Sequence, residues 1–142
     1  MLIGYSRIGN VQPQSDVELE RMSLMSYGCA ASNIYSEQTA SSDSRPQLDL
    51  AINSLRSGDK LVVERLATLG YTASGLGNIL LKMEERSAFL VILDVAGQSM
   101  DSSTKIGVRM FRTLQAVADL SIQQDREKKM ENLAKSRKKI DS

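Results

Sequence analysis

Four short apolar runs, separated by stretches with helical spacing, limit the fold of this chain more than any other feature. Residues 2–8, 33–37, 59–66 and 88–93 read as strands, and the last holds the most apolar run of all, AFLVIL. Between them, residues 17–27 carry Leu19, Met22 and Met25 on one helical face, capped by Ser15 or Asp16 and stopped by Gly28. A second helix starts at Pro46, with Leu48, Ala51, Ile52 and Leu55 as its buried stripe before Gly58. A third, over 72–86, spaces Leu76, Ile79, Leu80 and Met83 for burial, so Met83, like Met22, Met25 and Met110, is a packing residue. Strands joined through helices in this rhythm predict an α/β fold, with a mostly parallel central sheet and helices on both faces.

The last third follows a different rule. From about residue 104 the sequence is helical to its end, with no proline and only Gly107 as a weak point. Ile106, Met110, Leu114 and Val117 form an apolar stripe, continued by Leu120 or Ser121. Beyond it the apolar spacing thins to Met130, Leu133 and Ile140. About 35 helical residues would reach roughly 50 Å, longer than a domain of this size can cover. The expected organisation is an α/β domain over 1–103 and a long helix over 104–142 continuous with it. The far half of that helix is expected to bind a partner, pack on another copy or be partly disordered. From Arg126 onward, REKKMENLAKSRKKIDS carries seven basic residues against three acidic ones, with Arg126, Lys128 and Lys129 as candidates for phosphate contact.

Composition removes whole classes of chemistry. The chain has no histidine, which excludes Ser-His-Asp triads, histidine bases and histidine metal ligands. Its single cysteine, Cys29, excludes an internal disulfide and a cysteine metal site, and reads as a small semi-buried side chain. Gly75 and Gly77 lack the Gly-Lys-Ser/Thr ending of a phosphate loop. No metal and no cofactor are expected. No apolar run is long enough for a membrane span and no signal pattern opens the chain, so the expected location is cytoplasmic. Aromatics make up 4% and tryptophan is missing, so the core must be aliphatic and rich in methionine. At the carboxyl edge of the sheet, where open parallel sheets place ligands, Arg7 and Arg45 are candidates to clamp a phosphate.

GYSRIGN, then IYSEQTASSDSRPQLDLAINSLRSGDKLVVERLATLG, then FLVILD and a long final helix together resemble the catalytic domain of the resolvase/invertase family of serine site-specific recombinases. The resemblance covers essentially the whole chain. It implies a first strand ending in Tyr-x-Arg-Val-Ser, whose serine attacks a DNA phosphodiester and forms a phosphoserine link. It also implies arginines around the scissile phosphate, and a long helix that dimerises and then enters the minor groove ahead of a helix-turn-helix domain. Tyr5, Arg7 and Ile8 fit the first motif, Arg45 fits the arginine before the second helix, and Glu37 falls near the family's acidic residue in that region. The nucleophile position, however, is Gly9. The family's Asp-Arg-Leu-Gly-Arg block reads Ala67-Thr68-Leu69-Gly70-Tyr71, which keeps Leu69 and Gly70 but loses the acid and both arginines. The Glu-Arg pair of the long helix falls on Ser121-Ile122.

Glycine has no oxygen to attack phosphorus, and each lost positive group lowers a phosphoryl-transfer rate on the order of 100-fold. The expectation is therefore a recombinase-like protein that does not cleave DNA and that dimerises or tetramerises. Its DNA contact would be weak, since no helix-turn-helix follows Ser142, and an active relative is a further candidate partner. One alternative keeps activity through relocated hydroxyls, with Ser6, Ser41, Ser42 and Ser44 as candidates. A second alternative leaves DNA behind, making the sheet edge a regulatory or oligomerisation module.

Overall fold

Period-two alternation in the central strands sorts the interior into two layers. A computed structural model describes residues 1–8, 14–38, 45–69 and 73–141 of the chain. In order they form β1 (Leu2–Ile8), α1 (Gln14–Tyr27), β2 (Ile34–Gln38), α2 (Pro46–Ser54), β3 (Lys60–Val63), α3 (Ala73–Glu85), β4 (Phe89–Val95), β5 (Gln98–Asp101) and α4 (Lys105–Asp141). The sheet order is β2-β1-β3-β4-β5, parallel throughout except for the antiparallel pair β4–β5. Ile3, Tyr5, Leu61, Val63, Leu90 and Ile92 face one layer, where Leu48, Ala51, Ile52 and Leu55 of the α2 segment and Ile79, Leu80 and Met83 of α3 close over them. Val62 and Val91 face the other layer and meet Leu24 of α1 and Cys29. Helices thus cover both faces, as the sequence predicts.

The two layers differ in how many side chains fill them. On the α1 side the helix approaches closely because position 4 is glycine. A Cβ there would stand 3.1 Å from Cγ1 of Ile34 and 3.3 Å from Cδ1 of Leu24. Leu24 is fully buried against this gap, whereas Leu19, Met22 and Met25 do share a face but turn it to solvent, at 62%, 61% and 45% exposure. This corrects the reading of Met22 and Met25 as packing residues; α1 makes its contact through Leu24, on the opposite side of the helix. Met83 is fully buried and Met110 half-buried, as their spacing implies.

Strand β3 is shorter than its apolar run suggests, because the chain leaves the sheet after Val63 and tightens into a 3-10 turn at Leu66–Thr68. Strand β5 was not legible beforehand. It returns beside β4 through a two-residue turn in which Ala96 and Gly97 both have positive φ, 53° and 84°. Met100 is its one buried hydrophobic residue. Thr104 then starts α4, its Oγ1 accepting the N–H of Gly107 at 2.9 Å. Gly107, a weak point on propensity, is required by packing: a Cβ at this position would overlap the carbonyl of Asp101.

Candidate functional site

Tyr5 and Arg7 stand two residues apart on β1, so both side chains leave the same face of the sheet at its carboxyl end. Parallel pairing with β2 sets Arg7 opposite Glu37. Tyr5 is fully buried, and its hydroxyl donates to Oε2 of Glu37 at 2.6 Å. The same carboxylate accepts the N–H groups of Gln47 at 3.0 Å and Leu48 at 3.3 Å. Those donors belong to the first turn of α2, which Pro46 opens and for which the Arg45 side chain makes no capping hydrogen bond. A buried acid from β2 therefore does the work of a helix cap, and its charge favours the positive end of the helix. Burial and then the Glu37 hydrogen bond push the Tyr5 phenol above its ordinary range, while Arg45 and Arg7 draw it down. Both arginines thus lie within electrostatic reach of the buried Tyr5 hydroxyl.

Arg45 is buried, and its Nη1 donates to the carbonyls of Thr68 at 3.0 Å and Leu69 at 2.6 Å. It ties the start of α2 to the turn that follows β3. Thr68 is itself buried, and Leu69 anchors in the core at 1% exposure. The turn thus keeps its place although positions 67 and 68 carry neither the acid nor the arginine of the family pattern. Gly9, Gly70 and Tyr71 lie outside the described residues, as do Ser41, Ser42 and Ser44; Ala67 lies within the 3-10 turn. Ser6 is fully buried with its hydroxyl on that of Ser36 at 3.1 Å, and it projects to the face opposite Arg7.

A second region lies along α4. Met110, Phe111 and Leu114 pack on the core of the domain and Ala118 is buried, whereas Ile106 and Val117 are exposed. The candidate dimer stripe therefore splits, with Met110 and Leu114 turned inward, and Ile106, Val117 and Leu120 turned out. An open apolar cavity of about 420 Å³ separates α4 from the β4–β5 end of the sheet, with Leu66, Val95, Met100 and Ile106 among its walls. Arg126, Lys128 and Lys129 lie further along α4, all exposed. Among the described residues, no group of three or more acidic or cysteine side chains is placed to hold a metal ion.

Sequence reasoning found Arg7, Glu37 and Arg45. It missed the role of Glu37 as the cap of α2.

Residues 2–140 match the family model described as the resolvase N-terminal domain. The chain is 31% identical over 141 residues to the serine recombinase gin of Escherichia phage Mu, covering 98% of this chain and 69% of that protein. It is 34% identical over 120 residues to the transposon Tn552 resolvase of Staphylococcus aureus, covering 84% of this chain and 58% of the resolvase. The chain therefore spans little more than half the length of that resolvase. The crystal structure of a resolvase family site-specific recombinase from Streptococcus pneumoniae superposes with a TM-score of 0.63 over 96% of this chain and 97% of that one; at 20% identity it speaks for the fold.

Proposed function

This chain belongs to the resolvase family of serine recombinases, and from that premise we propose that it is a DNA-associated, self-associating member whose strand-cleaving centre is disarmed. The observation that carries the reading is Gly9 in the nucleophile position of an otherwise retained Tyr5-x-Arg7-Ile8 strand end. Without an oxygen there, no covalent phosphoryl-enzyme link can form at that site. The surroundings support the same reading. Ala67, Thr68 and Tyr71 replace the acid and both arginines of the second block. Arg45 has part of its guanidinium committed to main-chain carbonyls, and Ser6 is buried on the wrong face to substitute.

The retained functions are those of the scaffold. The outward Ile106, Val117 and Leu120 on α4, beside an apolar cavity, support self-association through this helix. The exposed Arg126, Lys128 and Lys129 support contact with phosphates, either alone or beside an active relative in the same assembly. Such a protein would act on DNA in the cytoplasm; no described helix is long and apolar enough to cross a membrane.

A covalent-adduct assay tests the reading. The purified protein is incubated with a family-type crossover site and run on a denaturing gel beside a variant carrying Gly9→Ser, Ala67→Asp, Thr68→Arg and Tyr71→Arg. The expected result is no adduct from the unaltered protein and a protein–DNA adduct from the restored one. An adduct from the unaltered protein overturns the proposal, because a different nucleophile must then exist.

A further inference from the structure

Asp101 ends β5 and gathers the hydrogen bonds that join this strand to α4. Its main-chain carbonyl accepts the N–H of Thr104 at 3.1 Å and the Thr104 hydroxyl at 2.8 Å. That hydroxyl accepts the N–H of Gly107, and the Thr104 carbonyl accepts the N–H of Val108 at 2.8 Å. The Asp101 carboxylate is held at both ends. Oδ1 accepts the Ser103 N–H at 2.9 Å and the Ser103 hydroxyl at 2.7 Å, while Oδ2 takes the Lys60 ammonium at 2.6 Å.

Lys60 belongs to β3, on the far side of β4. It pairs with Phe89 of β4, whereas Asp101 pairs with Val91, so the lysine crosses that strand on a diagonal of about 10 Å. By alternation Lys60 shares the face of Val62 and Asp101 that of Val91, the face covered by α1. Met110, Phe111 and Leu114 pack on the other face, with α2 and α3. The ion pair thus reaches the start of α4 from the side of the sheet opposite the helix. At 29% and 21% side-chain exposure it is screened less than a surface pair. Little apolar burial holds this end of the sheet. Met100 is the one buried hydrophobic residue of β5, and the cavity of about 420 Å³ opens between β5 and α4.

We propose that Lys60 is a positioning residue for α4: by clamping the Asp101 carboxylate from across β4, it fixes the direction in which the helix leaves the domain. The proposal depends neither on DNA binding nor on the loss of cleavage. Without the ammonium, one oxygen of a half-buried carboxylate is left without its charged donor and turns toward water. The carbonyl of the same residue, to which Thr104 is tied, moves with it.

The test compares Lys60→Met, Lys60→Arg and Asp101→Asn in the whole chain without DNA. Amide exchange followed by NMR reports the start of the helix. Spin labels on Leu50→Cys in α2 and Leu133→Cys in α4 report its direction; both positions are exposed, and the native Cys29 is buried. Labelled protein is diluted with unlabelled protein, so that each distance lies within one molecule. Lys60→Met is expected to speed exchange at Val108 roughly 10-fold, to leave Val63 and Ile92 unchanged and to widen the distance distribution. Lys60→Arg should keep the unaltered behaviour. Asp101→Asn should reproduce Lys60→Met, since its amide oxygen still accepts from Ser103 but carries no charge for Lys60. The double variant should be no worse than either single one. Val108 exchange or a distance distribution unmoved by Lys60→Met or Asp101→Asn overturns the proposal. So does faster exchange shared equally by Val63 and Ile92, or a double variant whose effects add.

Discussion

The two halves of α4 share one helical backbone and differ in everything that holds it. The first, up to Ala118, is capped by Thr104, abuts the Asp101 carbonyl at Gly107 and packs Met110, Phe111 and Leu114 on the core. In the second, every described side chain from Asp119 on is exposed. Local terms there are small: Glu131 and Lys135 stand four apart, a spacing that contributes about 0.3–0.5 kcal/mol. An unpacked helix in water is marginal, because most helical stability in proteins comes from tertiary burial. One half is therefore part of the domain, and the other has no burial among the described residues to hold it. Apolar spacing alone could not separate them, since Leu114 and Leu133 look alike in the sequence.

Three substitutions sharpen that contrast. The largest effect is expected at Gly107→Ala, where the new Cβ must displace the Asp101 backbone or the start of α4. A loss on the order of 3 kcal/mol in urea unfolding is expected, and a loss below about 1 kcal/mol would mean that the root of the helix is not fixed. Next comes a matched pair. Leu114→Ala should cost about 2 kcal/mol, whereas Leu133→Ala should stay within about 0.5 kcal/mol at protein concentrations that keep the chain monomeric. Equal costs would erase the distinction between the halves. The smallest change is expected from Lys128→Ala, which should leave folding untouched and lower the salt-dependence slope of DNA binding by about one. An unchanged slope removes Lys128 from the phosphate contacts.

Much of the architecture was legible because buried parallel strands are written as continuous apolar runs, as in residues 88–93, and because α2 and α3 carry clean stripes. What failed has physical causes. Strand β5 buries one hydrophobic residue and turns at Ala96-Gly97, so neither periodicity nor an Asn-Gly signal announces it. Helix α1 was read from its methionines, yet its contact is a single leucine over a glycine, too narrow to shape a stripe. At the candidate site, motif positions located Arg7, Glu37 and Arg45. They could not show that the Arg45 guanidinium turns onto the carbonyls of Thr68 and Leu69, because that depends on a loop packed against it from 23 residues away.

The overlap that a side chain at Gly107 would cause also governs reach. With 37 residues, α4 is a rod of about 55 Å pivoting near one end. A tilt of about 5° at that pivot would carry the far tip roughly 5 Å sideways, close to the rise of one helical turn. The contact between Gly107 and Asp101 therefore acts as the bearing of a pointer. By holding it tight, the domain decides where Arg126, Lys128 and Lys129 are aimed, although none of them touches the pivot.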